Sequence, residues 1–164
     1  MFKRSRIVCS ASAALAAILF SSTVFGGAPW NGEWKLNPAK SLFSPGPAPL
    51  SQVLTSWAGG IGIRVTFDTV NVNGQTTHSE YVSRFDGNEV AWEGNPDADT
   101  AACTRSKDFH VYENVAKKNG IVTLTSKFVV FHDLQTLTVI QTGKDASGRE
   151  VTNVAVYERQ SELK

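Results

Sequence analysis

From residue 50 onward the chain is a succession of short runs in which apolar and polar residues alternate. That period of two limits its fold before any motif is considered. Ile61, Ile63, Val65 and Phe67 hold the odd positions of one run, with Arg64, Thr66 and Asp68 between them. Val122, Leu124, Phe128 and Val130 share a parity against Thr123, Thr125 and Lys127. Leu137 and Val139 alternate with Thr136 and Thr138, and Ile140 breaks the rule. Such spacing puts one face of an extended chain in a core and the other in water. No segment from Asn31 on repeats its apolar residues at helical spacing.

Turn signals punctuate these runs at Gly59-Gly60, Asn73-Gly74, Asp86-Gly87, Asn119-Gly120, His132-Asp133 and Ser147-Gly148. Asn-Gly is the strongest short hairpin signal, because both residues tolerate positive φ. Four of the five intervals are 13 to 15 residues, and the long one holds weaker breakers at Asn95-Pro96-Asp97 and Lys107-Asp108. Strands are predicted near 32–36, 50–58, 61–71, 76–86, 88–93, 100–106, 109–117, 121–131, 135–143 and 150–159. A meander of eight to ten strands removes its exposed edges by closing on itself. The expected fold is therefore all-β: a single antiparallel up-and-down barrel. An open sandwich is the alternative, but the connections are short for its Greek-key crossovers. The stretch 37–49 carries four prolines and cannot join a ladder continuously, so it reads as an extended loop. Leu42 and Phe43 in its middle are expected to pin it to the body or cover one end of the barrel.

Residues 1–26 read as a cleaved signal peptide, with Lys3, Arg4 and Arg6 before an apolar stretch and small residues ahead of a cut after Gly26. The barrel domain is then 27–164. The leader holds three of the 16 Lys and Arg and none of the 15 Asp and Glu, leaving 13 bases against 15 acids, a formal charge of −2. With no basic excess or cluster, nucleic acid and anionic membrane are not indicated as partners. Loss of Cys9 with the leader leaves Cys103 alone, so no intrachain disulfide is expected, and Cys103 reads as a small buried hydrophobe.

Chemistry-bearing patterns are sparse. His78, His110 and His132 lie on separate segments without metal spacing, and no G-x-S-x-G elbow occurs. Asn95-Pro96-Asp97-Ala98-Asp99 places two carboxylates on alternate residues, yet lacks the calcium-loop pattern and reads as an Asx-type turn. Odd parity over 77–85 puts Thr77, Ser79, Tyr81, Ser83 and Phe85 on one face, with His78, Glu80, Val82, Arg84 and Asp86 toward solvent. Rings mixed with small hydroxyls suit an interior that is not fully packed. Phe67, Tyr81, Phe85, Trp92, Tyr112 and Phe128 are the candidate lining of such a cavity, with Tyr157 a further candidate. The alternative is that these rings fill a narrow barrel. Trp30 and Trp57 stay undecided between core and mouth.

Gly32-Glu33-Trp34 on the first strand and Arg159 on the last resemble the barrel closure of lipocalin-like proteins, in which a cation covers the Gly-x-Trp indole. Gly32, Trp34 and Arg159 are the structural closure residues this resemblance implies. The runs 32–49, 94–100 and 148–158 also resemble a group of uncharacterised secreted bacterial lipocalin-like, calycin-like β-barrel proteins. That resemblance implies a lipocalin-like fold and a secreted or periplasmic, Gram-negative-type location, and it supplies no catalytic residue. The function expected is binding of a small apolar or amphipathic ligand by an exported barrel, without covalent chemistry, cofactor, metal or stable membrane insertion, as a monomer or weak oligomer. The alternatives are a filled barrel serving as a structural or protein-interaction module and, third, a haem-binding or enzymatic barrel using a histidine or Tyr81.

Overall fold

A computed structural model describes residues 27–60, 62–145 and 147–161. The expected signal peptide 1–26 and Cys9 lie outside them. Eleven strands follow one another: β1 (Gly32–Leu36), β2 (Leu42–Ser44), β3 (Ser51–Gly59), β4 (Gly62–Val70), β5 (Thr76–Ser83), β6 (Asp86–Glu93), β7 (Thr100–Arg105), β8 (Val111–Lys118), β9 (Ile121–Val130), β10 (Thr136–Lys144) and β11 (Glu150–Ser161). A single 3-10 turn, Pro38–Lys40, is the helical element among the described residues. Each strand from β3 to β11 pairs antiparallel with the next, and β1 pairs with both β3 and β11. Ten strands thus close an up-and-down barrel, with the two-pair β5–β6 ladder its thinnest seam.

β2 is an addition that the sequence reading treats as loop. The twelve-residue β11 is long enough to carry two partners on one edge. Its later half pairs with β1, from Tyr157 opposite Leu36, and its first half pairs with β2, with Asn153 opposite Phe43. Ser41 joins the two, donating from Oγ to Asn37 O at 2.7 Å and accepting from Val156 N–H at 2.9 Å. The 3-10 turn is tied to β11 as well, since Lys40 Nζ lies 2.8 Å from Glu158 Oε1 and Asn37 Nδ2 donates to the same oxygen at 3.0 Å.

Two details go beyond the sequence reading. The connection between the bounds of β5 and β6 is Arg84-Phe85, where Phe85 has φ 60°, while the Glu80–Glu93 and Tyr81–Trp92 pairs centre the hairpin on Asp86-Gly87, where Gly87 also sits in a bulge of β6. Val122 points to solvent while Thr123 is buried, because a bulge after Ala116 shifts the β8–β9 register and reverses parity locally. The remaining alternation holds: Ile63, Val65, Leu124, Phe128, Val130, Leu137 and Val139 all face inward. Asn119-Gly120 forms the β8–β9 hairpin with φ 52° and 78°.

The meander gives the barrel two unlike ends. Connections after β3, β5, β7 and β9 lie at the base with residues 27–31; those after β1, β4, β6, β8 and β10 lie at the mouth. The base is packed. Trp30 meets Phe85, Phe109 and Tyr112 at ring-centroid distances of 5.7, 5.2 and 5.6 Å, and Tyr112 stacks on Phe128 at 4.3 Å. Trp34 is fully buried, and its Nε1 donates to Trp30 O at 2.9 Å. Arg159 caps it with Cζ 4.1 Å from the indole centroid.

Candidate functional site

Moving along each strand toward the mouth, the inward row changes character. On β3 it passes from Leu54 to Gln52, on β4 from Phe67 to Thr69, and on β5 from Tyr81 to Ser79 and Thr77. On β10 it passes from Val139 to Gln141, and on β11 from Ala155 to Asn153. Aromatic rings fill the barrel where they occur, and the shorter polar side chains nearer the mouth leave it open. The space they leave is a cavity of about 560 Å³, in the range of small-molecule sites.

Trp92 forms the floor of this cavity. Its ring packs edge-on against Tyr81 at 4.9 Å on the closed side and lies 5.9 Å from Phe67, which lines the cavity with it. Trp92 is only 7% exposed, and its indole N–H meets no protein acceptor. Leu124, Val139 and Ala155 supply the apolar wall. The polar wall is held by two hydrogen-bonded runs. In the first, Tyr157 OH donates to Gln52 Oε1 and Gln52 Nε2 donates to Thr69 Oγ1 at 2.8 Å. In the second, Asn153 Nδ2 donates to Gln141 Oε1 at 3.3 Å and Gln141 Nε2 to Ser126 Oγ at 3.4 Å. Ser44 N–H of β2 donates to Asn153 Oδ1 at 3.1 Å, so the short strand orients the second run.

The mouth is partly roofed. Phe43 of β2 and prolines 45, 47 and 49 of the β2–β3 connection line it, which places the proline-rich stretch over the open end. Across from it stands Asn95-Pro96-Asp97, an Asx turn in which Asp97 N–H donates to Asn95 Oδ1 at 2.9 Å. Arg149 and Asp145 on the β10–β11 turn form an ion pair at 2.6 Å. The backbone N–H and guanidinium of Arg149 hold the Asp145 carboxyl below the ordinary carboxylate range.

Of the six rings expected to line a cavity, Phe67 and Trp92 lie on its wall. Tyr81, Phe85, Tyr112 and Phe128 do not: they fill the closed half, a correction that follows from their height along the barrel axis. Burial pushes the phenols of Tyr81 and Tyr112 well above their usual range, and the two rings reinforce the shift in Tyr81. Burial likewise raises the Cys103 thiol, to which Asn114 Nδ2 donates at 3.4 Å, so Cys103 is a neutral core group. Trp57 is 52% exposed on the outer surface, while Trp30 belongs to the core.

None of the three histidines reaches the cavity. His78 is exposed, with Nδ1 2.6 Å from Asp68 Oδ1 on the outer face. His110 and His132 meet at the base with ring centroids 4.6 Å apart, a proximity their sequence separation hides. Among the described residues no group of three or more His, Cys, Asp or Glu side chains is placed to hold a metal ion. Gln52, Gln141 and Asn153 are among the cavity residues the sequence reading omits. Their signal is an amide at an inward parity position, where a packed core would have an aliphatic residue.

No family model and no curated protein matches this chain. Among solved structures it is similar to zebrafish ileal bile acid-binding protein, crystallised with cholic acid, at a TM-score of 0.51 and 12% identity over 80% of this chain and 99% of the other. At that identity the likeness concerns the fold alone: a closed antiparallel up-and-down β-barrel, as described above.

Proposed function

We propose that the protein is an exported carrier that holds one small amphipathic molecule in the mouth half of its barrel, without covalent chemistry. The observation that carries this reading is the cavity of about 560 Å³, with a Trp92–Phe67 floor and a wall of hydrogen-bonded amides and hydroxyls. A half-polar space of this size in a small domain is difficult to explain by stability, since lining it with larger aliphatic side chains would bury more apolar surface. The ligand chemistry fits the zebrafish protein's cholic acid only in outline: apolar skeleton inward, polar groups along the wall. Cys103, the one described cysteine, is free and buried, in keeping with a carrier that relies on packing at its base.

The test is displacement of a neutral fluorescent probe, Nile red, by retinol, fatty alcohols and bile-acid derivatives, with stoichiometry read by calorimetry. One site per chain is expected, and Ser79→Phe, which fills the cavity from β5, should abolish binding while leaving the melting temperature near that of the parent. Failure of the whole panel to displace the probe would sink the carrier reading. A second reading, a protein-interaction module, draws on Phe109 and Phe131, each 51% exposed at the base. It would be favoured if a Phe109→Ser, Phe131→Ser pair abolished self-association in sedimentation while leaving ligand binding intact.

A further inference from the structure

We propose that the cavity selects uncharged, hydroxyl- or ester-bearing amphipaths against carboxylates of the same skeleton. The inference rests on the carrier reading and deepens it by naming the ligand class. Of the charged side chains on the cavity wall, Asp97, Asp145 and Arg149, only the last is a cation. Its guanidinium is engaged by Asp145, at 2.7 Å through Nε and 2.6 Å through Nη2. Every other lysine and arginine among the described residues lies off this wall. A ligand carboxylate entering the mouth would therefore leave water and meet a single cation, Arg149, whose charge Asp145 already offsets. Asp145 stays ionised through the neutral range because Arg149 stabilises its charged form.

Neutral oxygens, in contrast, meet a surface built for them. Gln52, Gln141 and Asn153 are oriented by the bonds described above, and each amide NH₂ has a second hydrogen that those bonds do not use. Each amide oxygen also has a second lone pair, so the wall both donates and accepts, as a hydroxyl or ester requires. The floor is formed by the uncharged rings of Trp92 and Phe67, so it offers an anion no compensating charge.

The experiment uses two matched pairs on the intact protein: cholate with its methyl ester, and laurate with its glycerol monoester, each in competition with Nile red at mildly alkaline pH and low salt. In each pair the neutral member is expected to bind about tenfold tighter or more. Added salt should strengthen carboxylate binding by screening the mouth and leave the neutral ligands unchanged. Asp145→Asn keeps an acceptor for the turn but frees the guanidinium, so it should narrow the gap by raising carboxylate affinity alone. Equal or tighter binding of the carboxylates overturns the selectivity while leaving the carrier reading standing. If no member of either pair displaces the probe, the carrier reading falls and the selectivity with it.

Discussion

Arg159 secures the base of the barrel from several directions with one guanidinium. It lies over Trp34, while Nη2 donates to Pro29 O at 2.6 Å, Nη1 to Asn31 O and Nε to Leu134 O. The cation–π contact alone is worth about 0.5 to 2 kcal/mol. Lysine keeps the charge but not the fork, so Arg159→Lys should destabilise by about 2 kcal/mol in urea unfolding. Trp34→Ala should cost about 3 to 5 kcal/mol by the same measurement; a loss under about 1 kcal/mol would contradict its packing in the base. The tyrosines offer a test of the packed half. All three in the chain, Tyr81, Tyr112 and Tyr157, have phenols that burial pushes above their usual range. Their stabilising contribution is complete below the unfolded value near pH 10 and declines above it as the unfolded chain releases protons that the folded chain retains. Stability should fall by up to about 4 kcal/mol per pH unit when all three ionise on unfolding. Phenolate absorbance should stay absent through the range where exposed tyrosine titrates, then appear together with loss of β circular dichroism. An ordinary tyrosine titration in the folded protein would contradict the burial.

Elements differ in how far local chemistry specifies them. The ten barrel strands are legible because alternation and Asn-Gly turns are local signals, read within a dozen residues. β2 is not legible: three residues before Pro45 have no period, and they become a strand only because β11 presents a free edge beside β1. Asp86-Gly87 marks the centre of the β5–β6 hairpin as its turn signal implies, but what the signal does not show is that both residues also pair within β6, where Gly87 serves a bulge. Gly94 shows a tertiary demand of another kind. Its φ is +71°, and a Cβ there would come within 2.1 Å of His78 O on the neighbouring β5. The β5–β6 ladder beside it has just two register pairs, Glu80 with Glu93 and Tyr81 with Trp92, so it has little capacity to absorb a displacement. Gly94→Ala should therefore cost about 2 kcal/mol or more. Gly120 has a similar φ of +78° and open space around its Cβ position, so Gly120→Ala should cost only about 1 kcal/mol. Equal losses in the two variants would mean that the close approach at Gly94 has no energetic consequence.

At the level of the molecule, inward parity could be read from the sequence but height along the barrel could not. The alternation correctly places Tyr81, Ser83, Ser79 and Thr77 on one inner row. Which members of that row meet other rings, and which face open space, depends on how far each strand is staggered against its neighbours, a quantity set by closure of the whole sheet. That is why Phe67 and Trp92 reach the cavity while Tyr112 and Phe128, equally aromatic and equally inward, pack the base. The same closure brings residues as distant as Gln52 and Tyr157 into one hydrogen-bonded run. The central claim is a division of labour along the axis: a packed base that holds the fold and an open mouth that holds a neutral amphipath. The chain's four tryptophans report on it in one experiment, because Trp30 and Trp34 lie in the base, Trp57 outside and Trp92 on the cavity floor. Titration of the ¹⁵N-labelled protein with the glycerol monoester of lauric acid should move the Trp92 indole resonance and the side-chain amides of Gln52, Gln141 and Asn153, leaving the Trp34 and Trp57 indoles in place. Shifts centred on Trp57 or on the base, with Trp92 unmoved, would contradict it.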